Sequence, residues 1–257
     1  MIENKDGYVS YAITDNGIAT ITFQHPMSNS LPGAILRKLA QTVTDLGNDD
    51  AVKVIILTSA GEKAFCAGAS FDELISITNK EDGHTFFSGF AMVINAMRKC
   101  PKFVIARIQG KAVGGGVGLA SAADYAIALR GSAVKLSELA VGIGPFVVGP
   151  AVERKIGLAA FSELSIDAAN WRTCAWAQEK GLYASVHDTI AEVDEAVLSL
   201  ATTLSKSSPE AMKDLKEVLW QGTEHWDELL ASRAGISGRL VLSDFAVNAI
   251  STFKAKA

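Results

Sequence analysis

Along the first 24 residues, apolar and polar side chains alternate in two short runs, roughly Tyr8–Thr14 and Ile18–Phe23. A period of two predicts strands, and Asp15-Asn16-Gly17 between them supplies residues that tolerate positive φ in a tight hairpin. The period changes after QHPMSNS (24–30). Ile35, Leu39, Val43 and Leu46 recur at spacings of three and four, which predicts an amphipathic helix over 33–46. VKVIILTSA (52–60) is then a nearly unbroken β-branched run, the pattern of a strand buried on both faces. The loop AGEKAFCAGAS leads from it to a short helix starting near Phe71.

The same succession then returns. A helix is expected over 82–99, a second buried strand over FVIARIQG (103–110), and a helix from Gly114-Gly115-Gly116 to about Asp124. YAIALR (125–130) reads as a third strand. From 145 onward helices dominate: SSPEAM opens one over 209–220 with serine as cap and proline near its first position, and others follow at 224–241 and 243–256. Strand–loop–helix units recurring about every fifty residues predict an α/β protein with a helical C-terminal section.

Composition narrows this reading only a little. Of the 257 residues, 49% are hydrophobic and 20% charged, as in a globular protein with a sizeable core, and a net charge of −4 gives no electrostatic reason to bind nucleic acid. The absence of an 18-residue apolar stretch argues against a membrane span, and MIENKDGYVSYAI lacks the apolar region of a signal peptide. Cys66, Cys100 and Cys174 lack metal-ligand spacing and read as buried reduced thiols, which places the chain in the cytoplasm.

Two strand-to-helix junctions are candidates for chemistry: AFCAGAS after Ile55–Thr58, and KAVGGGVG after Val104–Ile108. Small residues there lead into helix starts, where N–H groups lack intrahelical partners and the helix dipole is positive. Two such groups converging on one point form an oxyanion hole. Taken alone, the triple glycine is equally a flexible turn or a packing point. It is neither a GxGxxG dinucleotide fingerprint after the first strand nor a phosphate loop.

Together the junctions resemble the crotonase (enoyl-CoA hydratase/isomerase) superfamily. AFCAGASFDEL is similar to its AFxAGADL loop, and IQGKAVGGGVGLASAADYAIA to its NGxAxGGGxELAxACDxxxA. The likeness extends through HPMSN, EKGL (179–182), SPEAMKDLK (208–216) and NAISTF (248–253), and so covers nearly the whole chain. The resemblance implies a spiral of repeated ββα units over 1–193, with a helical oligomerisation region over 194–257 that joins a homotrimer or a dimer of trimers. It implies an acyl-CoA substrate and no metal or redox cofactor. The oxyanion hole falls on the N–H groups of Ala69 and Gly115. Ala67, Gly68, Gly116 and Phe146 are implied in binding the thioester, as are Phe253 and Lys254 from a neighbouring subunit.

The well-known hydratases of this family carry two glutamates. At the first position this chain has Gly118; at the second, within VKLSELAVGIGP, it has Glu138. Glu138 is therefore the expected acid–base group, with a solvated loop glutamate as the structural alternative. Asp72 and Glu73 border the pocket but read as the acidic first turn of the 71–77 helix. His25, His84, His187 and His225 lie outside both loops and read as surface or packing residues. Further departures are Ser70 in place of the AGAD aspartate, Met27 in place of a basic residue, and PFVVGP (145–150) in place of a glycine-rich PGxGGTQRL. GGGVGL with LSE and GIGPFVVGP is similar to the bacterial 3-methylglutaconyl-CoA and carboxygeranoyl-CoA hydratases. Hydration of a branched 2-enoyl-CoA by one glutamate is the first expectation. Double-bond isomerisation is the second, and binding of acyl-CoA without catalysis the third.

Overall fold

The β-branched runs line up in the middle of a six-stranded sheet. The computed structural model describes residues 6–254, the side chains of Phe253 and Lys254 excepted. The side chains of those two binding candidates, and with them the expected contact, therefore lie outside the described residues. The hairpin is β1 (Tyr8–Ile13) and β2 (Ile18–Gln24), followed by α1 (Gly33–Asn48). The repeats follow as β3 (Val54–Ser59), β4 (Ala64–Cys66), α2 (Phe71–Ser76) and α3 (Lys80–Lys99), then β5 (Phe103–Ile108), β6 (Lys111–Val113) and α4 (Gly115–Ala122). The third is β7 (Tyr125–Leu129), β8 (Ala133–Lys135), a 3-10 turn over Glu138–Val141, and α5 (Gly149–Ile166). Each repeat sends its first strand to one sheet, its second strand to another, and closes with a helix.

The large sheet runs β1-β2-β3-β5-β7-β10, where β10 is Ser185–His187; only the β1–β2 pair is antiparallel. Its central strands are buried on both sides. Ile55 and Leu57 join the core with Leu39 and Val43 of α1 and Ile94 of α3. Val54, Ile56, Ile105 and Ile127 pack instead on Val193, Val197 and Ala201 of α7 (Ile190–Ser205). The boundary expected at 193/194 thus falls inside a helix that covers one face of the sheet.

The second sheet, β4-β6-β8-β9 with β9 at Arg172–Thr173, is absent from the sequence reading, which took AGEKAFCAGAS as loop throughout. Strands of two or three residues are too short to display a period. β4, β6 and β8 run parallel and adjacent.

C-terminal helices buttress the repeats. α6 (Cys174–Glu179), α8 (Pro209–Leu219) and α9 (Trp226–Leu240) precede α10 (Asp244–Lys254). α9 crosses α3 where Gly83 meets Gly238: a β-carbon on Gly83 would lie 2.7 Å from the Gly238 backbone. Asp124, the only acid in the glycine-rich segment, belongs to this scaffold. Its carboxylate accepts the Val104 N–H (2.7 Å) and the Trp220 indole N–H (2.8 Å). It also pairs with Lys216 at 2.8 Å, both side chains being almost wholly buried. No helix among the described residues is long and apolar enough to cross a membrane.

Candidate active site

The parallel strands β4, β6 and β8 end side by side, and each hands over one group. Ligands in α/β proteins collect at the C-terminal ends of parallel strands because backbone and side chains converge there from several chain segments. From β4 the chain runs through Ala67, Gly68 and Ala69 to Ser70, which caps α2 by accepting the Glu73 N–H at 3.3 Å. The N–H groups of this loop are nearly all committed. That of Ala67 donates to Ser28 O, that of Gly68 to Cys66 Sγ, and that of Ser70 to Leu31 O. The Ala69 N–H alone meets no acceptor among the described residues.

From β6 the chain enters α4 through the three glycines. Gly114 donates its N–H to Lys135 O at 2.9 Å, and Val117 and Gly118 both donate to Gly114 O. That leaves the N–H groups of Gly115 and Gly116, at the positive end of the helix, without an acceptor among the described residues. The two loops touch: a β-carbon on Gly68 would lie 3.1 Å from Val113 O and 3.7 Å from Gly115 N. Each glycine of the triplet is dictated by a neighbour. Gly114 has φ 52° and ψ −112°, and a β-carbon there would sit 2.9 Å from Glu138 Oε1. At Gly115 it would strike the Phe90 ring (2.2 Å), and at Gly116 the Cys66 carbonyl (2.4 Å).

From β8 comes Glu138, the first residue of the 3-10 turn. The residue is partly exposed, but its carboxyl group points inward and Oε2 is buried without a hydrogen-bond partner among the described residues. Burial pushes its pKa up to about 7, opposed only by its own backbone N–H. It is therefore not the solvated loop glutamate of the structural alternative.

The absent first glutamate has a physical counterpart. A β-carbon on Gly118 would lie 2.5 Å from Val148 Cγ1, so Val148, fully packed in the core, fills the space that a side chain at 118 would need. Phe146 is half-buried beside Gly144, in the segment that links the 3-10 turn to α5. Glu73 does not reach the site as an acid. Its Oε2 accepts the N–H of Gly33 at 2.8 Å, at the start of α1. Asp72 is exposed.

Sequence reading missed Phe90, which shapes the glycine junction from a distant position, and also Asn29; Val148 stood in it only as part of the apolar PFVVGP segment. Asn29 is buried at φ 57°; its amide donates to Ala60 O (2.8 Å) and Ala64 O (3.0 Å), and its Oδ1 accepts the His25 N–H. It ties the turn after β2 to the start of β4. The only signal for it was the tolerance of asparagine for left-handed turns. A surface cleft of about 770 Å³, lined by Lys99, Pro101, Lys213 and Glu217 among others, lies elsewhere and shares no residue with the three strand ends.

The profile described as Enoyl-CoA hydratase/isomerase matches residues 13–237, which includes all three strand ends. The chain belongs to the enoyl-CoA hydratase/isomerase family. It is 31% identical over 213 residues to a probable enoyl-CoA hydratase of Bacillus subtilis, covering 82% of this chain and 81% of that one. It is 34% identical over 200 residues to the mitochondrial methylglutaconyl-CoA hydratase of Rattus norvegicus, covering 76% of this chain and 63% of the relative. Among solved structures, enoyl-CoA hydratase from Bacillus halodurans superposes with a TM-score of 0.87 at 22% identity, over 95% of this chain and 99% of that one. That likeness shows the crotonase fold, an α/β spiral of ββα units, as the sequence resemblance implied. A putative enoyl-CoA hydratase from Mycobacterium avium paratuberculosis gives 0.83 at 27% identity, over 97% of each chain.

Proposed function

We propose that this family member adds water to a 2-enoyl-CoA thioester, using one carboxylate and two backbone donors. The observation that carries the reading is the buried carboxyl of Glu138, its Oε2 without a partner among the described residues, set against the glycine junction where the N–H groups of Gly115 and Gly116 lack acceptors. The thioester oxygen accepts from the N–H groups of Ala69 and Gly115. Glu138 takes a proton from water as the water oxygen bonds to C3. The electron pair moves through C2 onto the thioester oxygen, and the resulting enolate takes the proton back from Glu138 at C2. Each backbone donor to such an oxyanion is worth about 10²–10³ in rate. Ala67, Gly68 and Gly116 border the thioester, and Phe146 limits the acyl space.

The test is loss of the conjugated-thioester absorbance of crotonyl-CoA. Glu138→Gln is expected to lower kcat by about 10²–10⁴, the usual contribution of a positioned acid–base group. A rate unchanged in that variant overturns the role of Glu138.

Isomerisation is the second reading, favoured by the filled space at Gly118, since one base suffices to remove and return a proton. A β,γ-enoyl-CoA that becomes conjugated faster than crotonyl-CoA is hydrated would establish it instead. Thioesters that bind and do not react would leave a binding protein.

The free, buried thiols of Cys66, Cys100 and Cys174 support a cytoplasmic setting. Exposed Leu215, Val218 and Leu219 on α8, with Phe245 and Val247 on α10, support assembly through the C-terminal helices into a trimer or a dimer of trimers.

A further inference from the structure

The walls around Glu138 and the glycine junction have a uniform chemistry. A small apolar cluster, separate from the main core, joins Ile143 and Val141 beside Glu138 to Leu74 of α2 and Ile250 of α10. Phe87 of α3 belongs both to this cluster and to the edge of the main core, one helical turn before Phe90, the ring that covers Gly115. An apolar wall therefore connects Phe90, packed beside Gly115, through Phe87 to Ile250 of α10. Val141, Leu74 and Phe87 are only partly buried, so they present free surface rather than solid core.

The same elements are devoid of cations where they meet. Residues 71–76 of α2 and 138–148 contain no Lys, Arg or His. In α10 the only one is Lys254, its last residue. Lys80 and His84 of α3 are exposed, and His84 packs beside Gly235 and Gly238 of α9. The acids on these elements are Glu138 itself, Asp72 and Glu73 in the first turn of α2, and Asp244 in that of α10; the α2 pair faces His25 and Arg37 on the side towards the start of α1.

We infer that the acyl group taken by this site is a short uncharged hydrocarbon chain and that an acyl group ending in a carboxylate is rejected. An acyl carboxylate placed against this wall would be desolvated without a counter-ion and would face Glu138, the arrangement that low-dielectric surroundings penalise most. A branched alkyl group gains contact area along the same surface. The inference rests on the proposed acyl-CoA site. It separates this chain from its relative named methylglutaconyl-CoA hydratase, a name that specifies a dicarboxylic acyl group.

The experiment compares binding of butyryl-CoA and glutaryl-CoA, two saturated thioesters that no hydration can consume, by isothermal titration to the purified full chain. Butyryl-CoA is expected to bind at least tenfold more tightly. A smaller difference, or the reverse order, overturns the inference. Hydration of crotonyl-CoA, measured in parallel, reports on the reaction separately. A chain that prefers butyryl-CoA yet leaves crotonyl-CoA unchanged keeps the acyl preference and loses the hydratase reading. A chain that binds neither saturated thioester loses both.

Discussion

A buried carboxyl group with one oxygen left without a partner stores a dependence on pH at two levels. Glu138 has its pKa raised from 4.5 to about 7 by burial. In its proposed role as the base that accepts a proton from water it must be ionised, so kcat/KM is expected to climb through an apparent pKa near 7 and flatten above it. Stability moves the other way. A carboxyl whose folded pKa exceeds its unfolded one contributes stability fully below pH 4.5, and the contribution disappears as pH rises through about 7. Glutamine keeps the neutral form at every pH. Glu138→Gln should therefore match the parent in urea unfolding at pH 4.5 and exceed it by up to about 3 kcal/mol at pH 8. An equal difference at both pH values would assign the gain to packing instead. Gly118 is the complementary residue: Val148 occupies its side-chain space, which leaves the site with one carboxylate rather than two.

Long elements were legible in the sequence, and short ones were not. The hairpin at Asp15-Asn16-Gly17, the α1 spacing and the buried runs of β3 and β5 each announce themselves through a period or a turn residue. The small sheet does not, because AFC, KAV and AVK are each three residues long. Yet that sheet sets Ala69, Gly115 and Glu138 at neighbouring strand ends. Those three residues came from family motifs; their common origin at parallel strand ends was visible only in the structure. Helix packing was equally hidden. Nothing near Gly83 or Gly238 in sequence shows that α3 and α9 touch there, since the contact spans more than half the chain. A β-carbon on Gly238 would lie 2.6 Å from the His84 N and 2.8 Å from the Gly83 carbonyl carbon, both backbone atoms that cannot swing aside. Gly238→Ala is expected to cost about 1–3 kcal/mol, the usual penalty of overpacking, read as a lowered urea midpoint at unchanged slope. A midpoint within error of the parent would mean that the crossing opens freely.

The whole molecule winds three strand–strand–helix units into one spiral and closes it with helices that return to earlier parts of the chain. α7 covers the large sheet, the Asp124–Lys216 pair ties α8 to the start of β5, and α10 lies over the 3-10 turn. Exposed apolar side chains remain on the outer surfaces of α8 and α10. Sedimentation equilibrium is expected to give three or six chains per particle. A monomer at micromolar concentration would remove the proposed role of these helices in assembly.

The proposed use of one carboxylate also fixes the relative configuration of the product. In the proposed hydration Glu138 both takes the proton from water and returns it, while Val148 fills the side-chain space at Gly118 where a second acid would stand. Oxygen at C3 and hydrogen at C2 must then arrive on the same face of the double bond. Hydration carried out in deuterium oxide is expected to give a single syn diastereomer, identified by its proton–proton coupling constant. A mixture, or the anti product, would require a second proton source on the opposite face.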